Sequence, residues 1–373
     1  MALPTLTPNK IFNALSNMII SQIVLADNIS NSHVSLADKS RVDGSMYGDS
    51  KTYYSSDVLR SYEWNGDAEA ANLLKLHRPE APEVQTITID QFRIIPVTVD
   101  NYLTKQAWST ENAFSSFNSQ MLSWMKETKR IFDATTFNTF VGTNTADEGE
   151  QNLTINLPDE PDGVDDYNTE AYNRLKAQMI AEYVADLLVK VSDVSRDYND
   201  FGNLRSFDTD DLVFVWNSEW VNEIKKLDVP TIFHKDGLID KFAENVLPAR
   251  YFGNINTSSG TTTATNLTVR SLIEKDYNTV EPNQPGYDPA KHIFAGDLVP
   301  ASTAYNANET YTQDSKIIFK VYHKDSIPFM TGFQTGTVFN NPRSLTETHY
   351  LIWGYNTLEA LKNYPFITVK SNH

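Results

Sequence analysis

Val84-Gln85-Thr86-Ile87-Thr88-Ile89-Asp90-Gln91-Phe92-Arg93-Ile94-Ile95-Pro96-Val97-Thr98-Val99 decides how the rest of the chain is read. Side chains along a strand point alternately to opposite faces, and β-branched residues fit that pleat. Here Ile, Val and Thr recur at alternate positions for sixteen residues, so the stretch predicts one long strand. Working backwards, Glu80-Ala81-Pro82 closes a polar tip over about 65–84, and Lys51–Trp64 has enough Tyr and Val for a second strand. Two such strands joined by a polar tip make an extended hairpin, too long to be covered by its own domain. Its backbone edges and apolar side chains need a neighbour.

Working forwards, Phe114, Phe117, Met121, Trp124, Met125, Thr128 and Phe132 recur at three- and four-residue spacing. That periodicity predicts a helix over about 110–141. A second helix is expected over about 169–196, with Ile180, Val184, Leu187, Leu188, Val191 and Val194 on one face. Leu212-Val213-Phe214-Val215-Trp216 reads as a buried strand feeding a short helix that Asn217 or Ser218 can cap. Residues 228–315 read as loop-rich. Strands are then expected at Lys316–Tyr322, Tyr350–Tyr355 and Phe366–Val369, with a short helix near 357–363. Helices and strands mix without a βαβ rhythm, which predicts an α+β fold. Before the hairpin, Ile11, Phe12, Leu15, Met18, Ile19 and Ile23 form the stripe of an amphipathic helix, with Thr7 as its cap and Pro8 in its first turn. Its longest unbroken apolar run, Ile23 to Ala26, is far too short for a membrane span of roughly 20 residues. Only Lys10 could serve as a basic leader, so neither a signal peptide nor a membrane partner is expected.

The chemistry of familiar sites is missing from the sequence. The 373 residues include no cysteine, which removes disulfides, zinc thiolates and thiol nucleophiles. No phosphate-cradling G-x-x-x-x-G-K-[ST] or G-x-G-x-x-G occurs. Gly44-Ser45-Met46-Tyr47-Gly48 has the wrong spacing for a nucleophile elbow. The seven histidines are scattered and none sits in H-E-x-x-H. Asp159–Asp166 is an acidic loop, but aligning Gly163 with the calcium-loop glycine puts Pro158 first and Thr169 twelfth, so the pattern fails and a solvated acidic hairpin is expected. No cofactor, metal site or catalytic residue is expected, and the chain is not read as an enzyme. Formal charge is −17, and residues 111–170 hold 3 basic against 12 acidic side chains. Binding to a phosphate backbone depends on counterion release by Lys and Arg, so direct DNA binding is not expected.

Arm, long hairpin, long helix and closing strands occur in an order that resembles major capsid proteins of tailed phages with the Hong Kong 97-type fold, which encapsulins share. The resemblance rests on Thr86–Gln91 running into Val97–Asp100, on the helix over 110–141, on Leu212–Trp220, and on Asn341-Pro342-Arg343-Ser344-Leu345-Thr346 with Tyr350–Tyr355. It implies an N-terminal arm at 1–44, an E-loop hairpin at 45–99, and a peripheral domain with the spine helix at 100–205. An axial domain at 206–315 and a return to the peripheral domain at 316–373 complete it. Tyr53, Tyr54, Leu59, Trp64, Leu76 and Arg78 on the hairpin, with Ile11 and Phe12 on the arm, would then meet neighbouring copies in hexamers and pentamers. The resemblance further implies an icosahedral or prolate head shell in the virion, built in the bacterial host cytoplasm. DNA would be held only by enclosure. A portal and decoration proteins would be partners. No long amino-terminal scaffolding segment is found, so a separate scaffolding protein is expected. An encapsulin-type compartment and a phage tail or surface-binding module are the alternatives.

Overall fold

The protein is described here from a computed structural model. It describes residues 35–44, 49–61, 76, 78–100, 111–144, 151–158, 170–225, 245–257 and 309–372, with short strands between 261 and 306. The expected arm helix, Trp64 and the acidic loop 159–166 lie outside these residues.

The long predicted strand is β3 (Glu83–Asp100). Its first six residues pair with β2 (Ser50–Ser55), Ser55 opposite Glu83 and Ser50 opposite Thr88. From Ile89 onward its partner is β18 (Thr346–Asn356), with Thr346 opposite Asp100. β18 pairs in turn with β17 (Phe329–Asn341), and β1 (Arg41–Asp43) lies parallel to the start of β17. The first sheet therefore has the order β1-β17-β18-β3-β2. The expected ascending strand 51–64 is shorter than its sequence indicated, because the ladder stops at Ser55 and no strand is formed from Ser56 to Ser61.

After the short α1 (Ser35–Lys39), α2 (Glu111–Gly142) lies on this sheet. At 1.5 Å per residue its 32 residues span about 48 Å. Phe132 meets Trp353 and Tyr355 edge-on at 6.0 and 5.7 Å, and the Arg93 guanidinium sits 4.1 Å over its other side. From Thr136 onward every residue of the helix is buried. There Phe140 stacks on Phe366 at 5.7 Å, a residue of the second sheet. One helix thus packs against both sheets within a single core. Thr128, expected on its apolar face, is instead exposed and its hydroxyl donates back to the Trp124 carbonyl.

The second sheet runs β5 (Asn152–Ile155), β19 (Phe366–Ser371), β16 (Ile317–His323), β6 (Leu212–Asn217) and β7 (Val246–Leu247). All seven residues of β16 are buried, as its central place requires. Against it packs α3 (Glu170–Ser192) through Ile180, Val184, Leu187 and Val191. Val194, expected on that face, falls after the helix and is exposed. α4 (Ser218–Lys225) follows β6 and is capped as predicted, the Asn217 side-chain oxygen accepting from the Glu219 N–H at 3.1 Å. Strands from residues 316–373 are divided between both sheets, so the expected boundary at 315/316 does not separate the two layers.

The described strands between 253 and 313 form more regular structure than the loop-rich reading expected. β8 (Gly253–Thr257) pairs with β15 (Glu309–Gln313) and with β4 (Thr143–Asn144). Nested between them, β9 (Thr261–Thr263) pairs β14 (Ala304–Asn306) and β10 (Thr268–Val269) pairs β13 (Leu298–Val299). Innermost, β11 (Lys275–Asp276) pairs β12 (His292–Ile293). Short strands rich in Thr and Asn carry little apolar signal, so alternation could not reveal them.

The expected helix at 357–363 does not form. Its backbone donors are taken elsewhere: the Thr357 N–H by Asp90 at 2.7 Å, the Leu361 N–H by the Ser326 carbonyl at 2.7 Å, and the Lys362 N–H by Gln85 at 2.9 Å. Each bond made to a neighbour is one that a helix cannot make internally. The segment is a bracket laid across the foot of the hairpin.

Candidate assembly surface

The hairpin has a fixed foot, and most of its described residues above the ladder are exposed. At the foot Ile87 and Ile89 are buried with Met330 and Leu361, and Tyr53 packs onto the same cluster. Burial, followed by the nearby Tyr364 and Asp325, raises the Tyr53 hydroxyl above its ordinary pKa. Tyr53 therefore faces its own subunit. Tyr54, its neighbour in the strand, points to the opposite face and is 73% exposed. Above the ladder, Arg60 and Glu80 join the two limbs at 2.8 Å, a surface pair that guides rather than stabilises.

Leu59 and Leu76 are each 77% exposed, and Val58 and Val84 are exposed as well. Arg78 is exposed beside them. Single exposed apolar residues are ordinary; several along one hairpin make a candidate interaction surface. Of the predicted contact residues, Tyr54, Leu59, Leu76 and Arg78 are presented outward, Tyr53 is turned inward, and Trp64, Ile11 and Phe12 lie outside the described residues.

A second exposed tip was not predicted. β17 and β18 form a hairpin closed by Pro342–Leu345, between the paired residues Asn341 and Thr346. Leu345 turns it with a positive φ of 52°, a conformation that a leucine rarely adopts. Val338, Phe339 and Leu345 are exposed there. The signal in sequence was Thr335-Gly336-Thr337-Val338-Phe339, diluted by Gly332 and Gly336, which weaken strand propensity. Asn341–Thr346, quoted above for the resemblance, is this turn.

Among the described residues no group of three or more His, Asp or Glu could hold a metal ion, and no helix is long and apolar enough to cross a membrane.

A long hairpin and a spine-like helix on one sheet, with a second sheet behind, define the Hong Kong 97-type capsid fold of tailed phages. Solved structures share it. One is the capsid of Staphylococcus phage Andhra, at 10% identity and a TM-score of 0.58, covering 89% of this chain and 82% of that one. Another is a chain from the structure of the head fiber and inner core protein gp22 of native bacteriophage P68. It matches at 11% identity and a TM-score of 0.61, covering 89% and 83%. No curated protein matches the sequence. Residues 5–365 match the Phi29-like phage major capsid protein family, and the chain belongs to it. It is a structural protein that oligomerises into the head shell of the virion.

Proposed function

We propose that each copy lends the upper part of its hairpin, about residues 58–82, to a neighbouring copy, and that its N-terminal arm does the same. The reading is carried by one observation: a stalk rooted in its own core exposes Tyr54, Val58, Leu59 and Leu76 with no cover among the described residues. A head-to-tail contact of this kind closes into rings, here hexamers and pentamers of an icosahedral or prolate head. Residues 100–205 and 316–373 are assigned to the peripheral domain and residues 206–315 to the axial domain. A chain of formal charge −17 confines double-stranded DNA without gripping it. A scaffolding protein, a portal and decoration proteins complete the assembly in the host cytoplasm.

The foot of the hairpin is part of the folded body, so the informative deletion removes residues 59–81 and spares β2 and β3. That variant is expected to melt with the full-length subunit yet form no particles in negative-stain microscopy, with or without scaffold. Particles of normal size from the deleted chain would overturn the assignment.

A further inference from the structure

We propose that the loop between α3 and β6, residues 193–207, is a seat that fixes the direction of the hairpin within its own subunit, with Asp57 as its lock. The proposal rests on the hairpin being the limb that reaches a neighbour.

The contacts converge on three consecutive residues where the hairpin leaves the body. The Ser55 hydroxyl is buried, donates to the Asn363 side-chain oxygen at 2.6 Å and accepts from the Asn203 amide at 2.8 Å. Arg205 donates to the Ser56 carbonyl at 2.6 Å and, through Nε, to Asn363 at 3.2 Å. Asp57 accepts the Leu204 N–H at 2.9 Å with one oxygen and pairs with Arg196 at 2.7 Å through the other. Two residues further on, Leu59 is 77% exposed. The passage from tied to exposed chain takes two residues.

The seat is stiff enough to give direction. Ser195 and Arg205 bridge its two ends through paired backbone bonds at 2.9 Å. Asn199 and Asn203 exchange two hydrogen bonds, at 2.7 and 2.8 Å. Gly202 turns the loop at a φ of +64°, which glycine adopts without strain, and Arg196 donates to its carbonyl at 2.6 Å. The other limb is held by the same bracket, Gln85 donating to the Ala360 carbonyl at 3.2 Å while accepting from the Lys362 N–H. The Leu204 N–H first and the Arg196 guanidinium next hold the Asp57 carboxyl down at about 2, so the lock stays ionised at neutral pH.

A change of angle at Asp57 redirects the chain that follows it, exposed from Val58 to Ser61. Loss of the lock is therefore read as misdirection of the hairpin, not as unfolding of the subunit.

Because the chain has no cysteine, spin labels can be placed cleanly at Leu59→Cys and Val189→Cys, both exposed positions. In the unassembled subunit the distance between them is expected to give a single narrow peak. Asp57→Ala should abolish that peak while leaving helix content and melting unchanged. Arg196→Gln, which keeps the bond from Leu204 to Asp57, should broaden it less, and remains readable if Asp57→Ala fails to fold. An unchanged narrow peak in both variants overturns the seat, whatever assembly does. Loss of the peak with malformed or absent particles supports both the seat and the hairpin's role. Loss of the peak with normal particles keeps the seat and overturns the hairpin as the reaching limb.

Discussion

Lys320 is fully buried at the centre of the second sheet. Its side-chain nitrogen donates to the Thr143 carbonyl, just past the end of α2, at 2.6 Å and to the Thr368 hydroxyl at 2.8 Å, with the Phe366 ring 4.3 Å away. Among the described residues no carboxylate is paired with it. Burial pushes its pKa well below the ordinary lysine value, and nearby Lys370 adds in the same direction. The sign follows directly. Between the lowered folded value and about pH 10.4 the unfolded chain holds this proton while the folded chain gives it up, so unfolding in that window takes a proton up. Stability is expected to rise with pH between the lowered folded value and about 10.4, by up to ~1.4 kcal/mol per pH unit from this group. Lys320→Met fills much of the same space and removes the titration. Denaturant midpoints between pH 7 and 9.5 should climb for the parent and stay flatter for the variant. Equal slopes would mean that Lys320 stays charged in the folded protein.

At the scale of elements, the joints decide more than the elements they connect. α2 ends at Gly142 against the turn Ala249–Tyr251, where a methyl group would run into the Tyr251 carbonyl. Gly142→Ala is expected to destabilise by about 3 kcal/mol, the cost of overpacking against backbone. At exposed Gly336 in β17 an added methyl meets nothing within 4 Å, and Gly336→Ala should stay within about 0.5 kcal/mol. Urea melts of the two variants check the contrast, and comparable losses would show that the joint has room to yield. β3 and α2 were legible because each repeats one physical rule along its length, alternation in Val84–Val99 and three/four spacing in α2. β17 was hidden by glycines. The bracket at 357–363 was misread as helix because its donors are captured by Asp90, Gln85 and Ser326, far away in sequence. Within α2, Lys129 and Asp133 pair at 2.8 Å while both are buried. A hydrophobic pattern counts such positions as surface. Of the assembly surface, the exposed limb was readable and the polar seat beneath it was not. Asp57, Arg196 and Arg205 belong together only once the chain has folded.

For the whole molecule, charge and assembly pull in opposite directions. Each copy carries a formal charge of −17, and a shell brings many copies into contact, so every association step works against like-charge repulsion. Exposed pairs such as Arg60–Glu80 and Lys190–Asp186 are satisfied within the subunit and do nothing to attract a neighbour. On the proposed reading assembly is driven by burial of apolar groups such as Leu59 and Leu76, an attraction that salt does not screen. Repulsion, by contrast, reaches about 30 Å at 0.01 M salt and about 8 Å at 0.15 M. Raising salt across that range is therefore expected to lower the protein concentration at which particles first appear, as followed by light scattering with scaffold held constant. The opposite trend would mean that oppositely charged groups meet across the subunit boundary and outweigh the net charge. Arg78, exposed on the hairpin, is the first cation to examine, and Arg78→Ala should then remove most of the salt dependence.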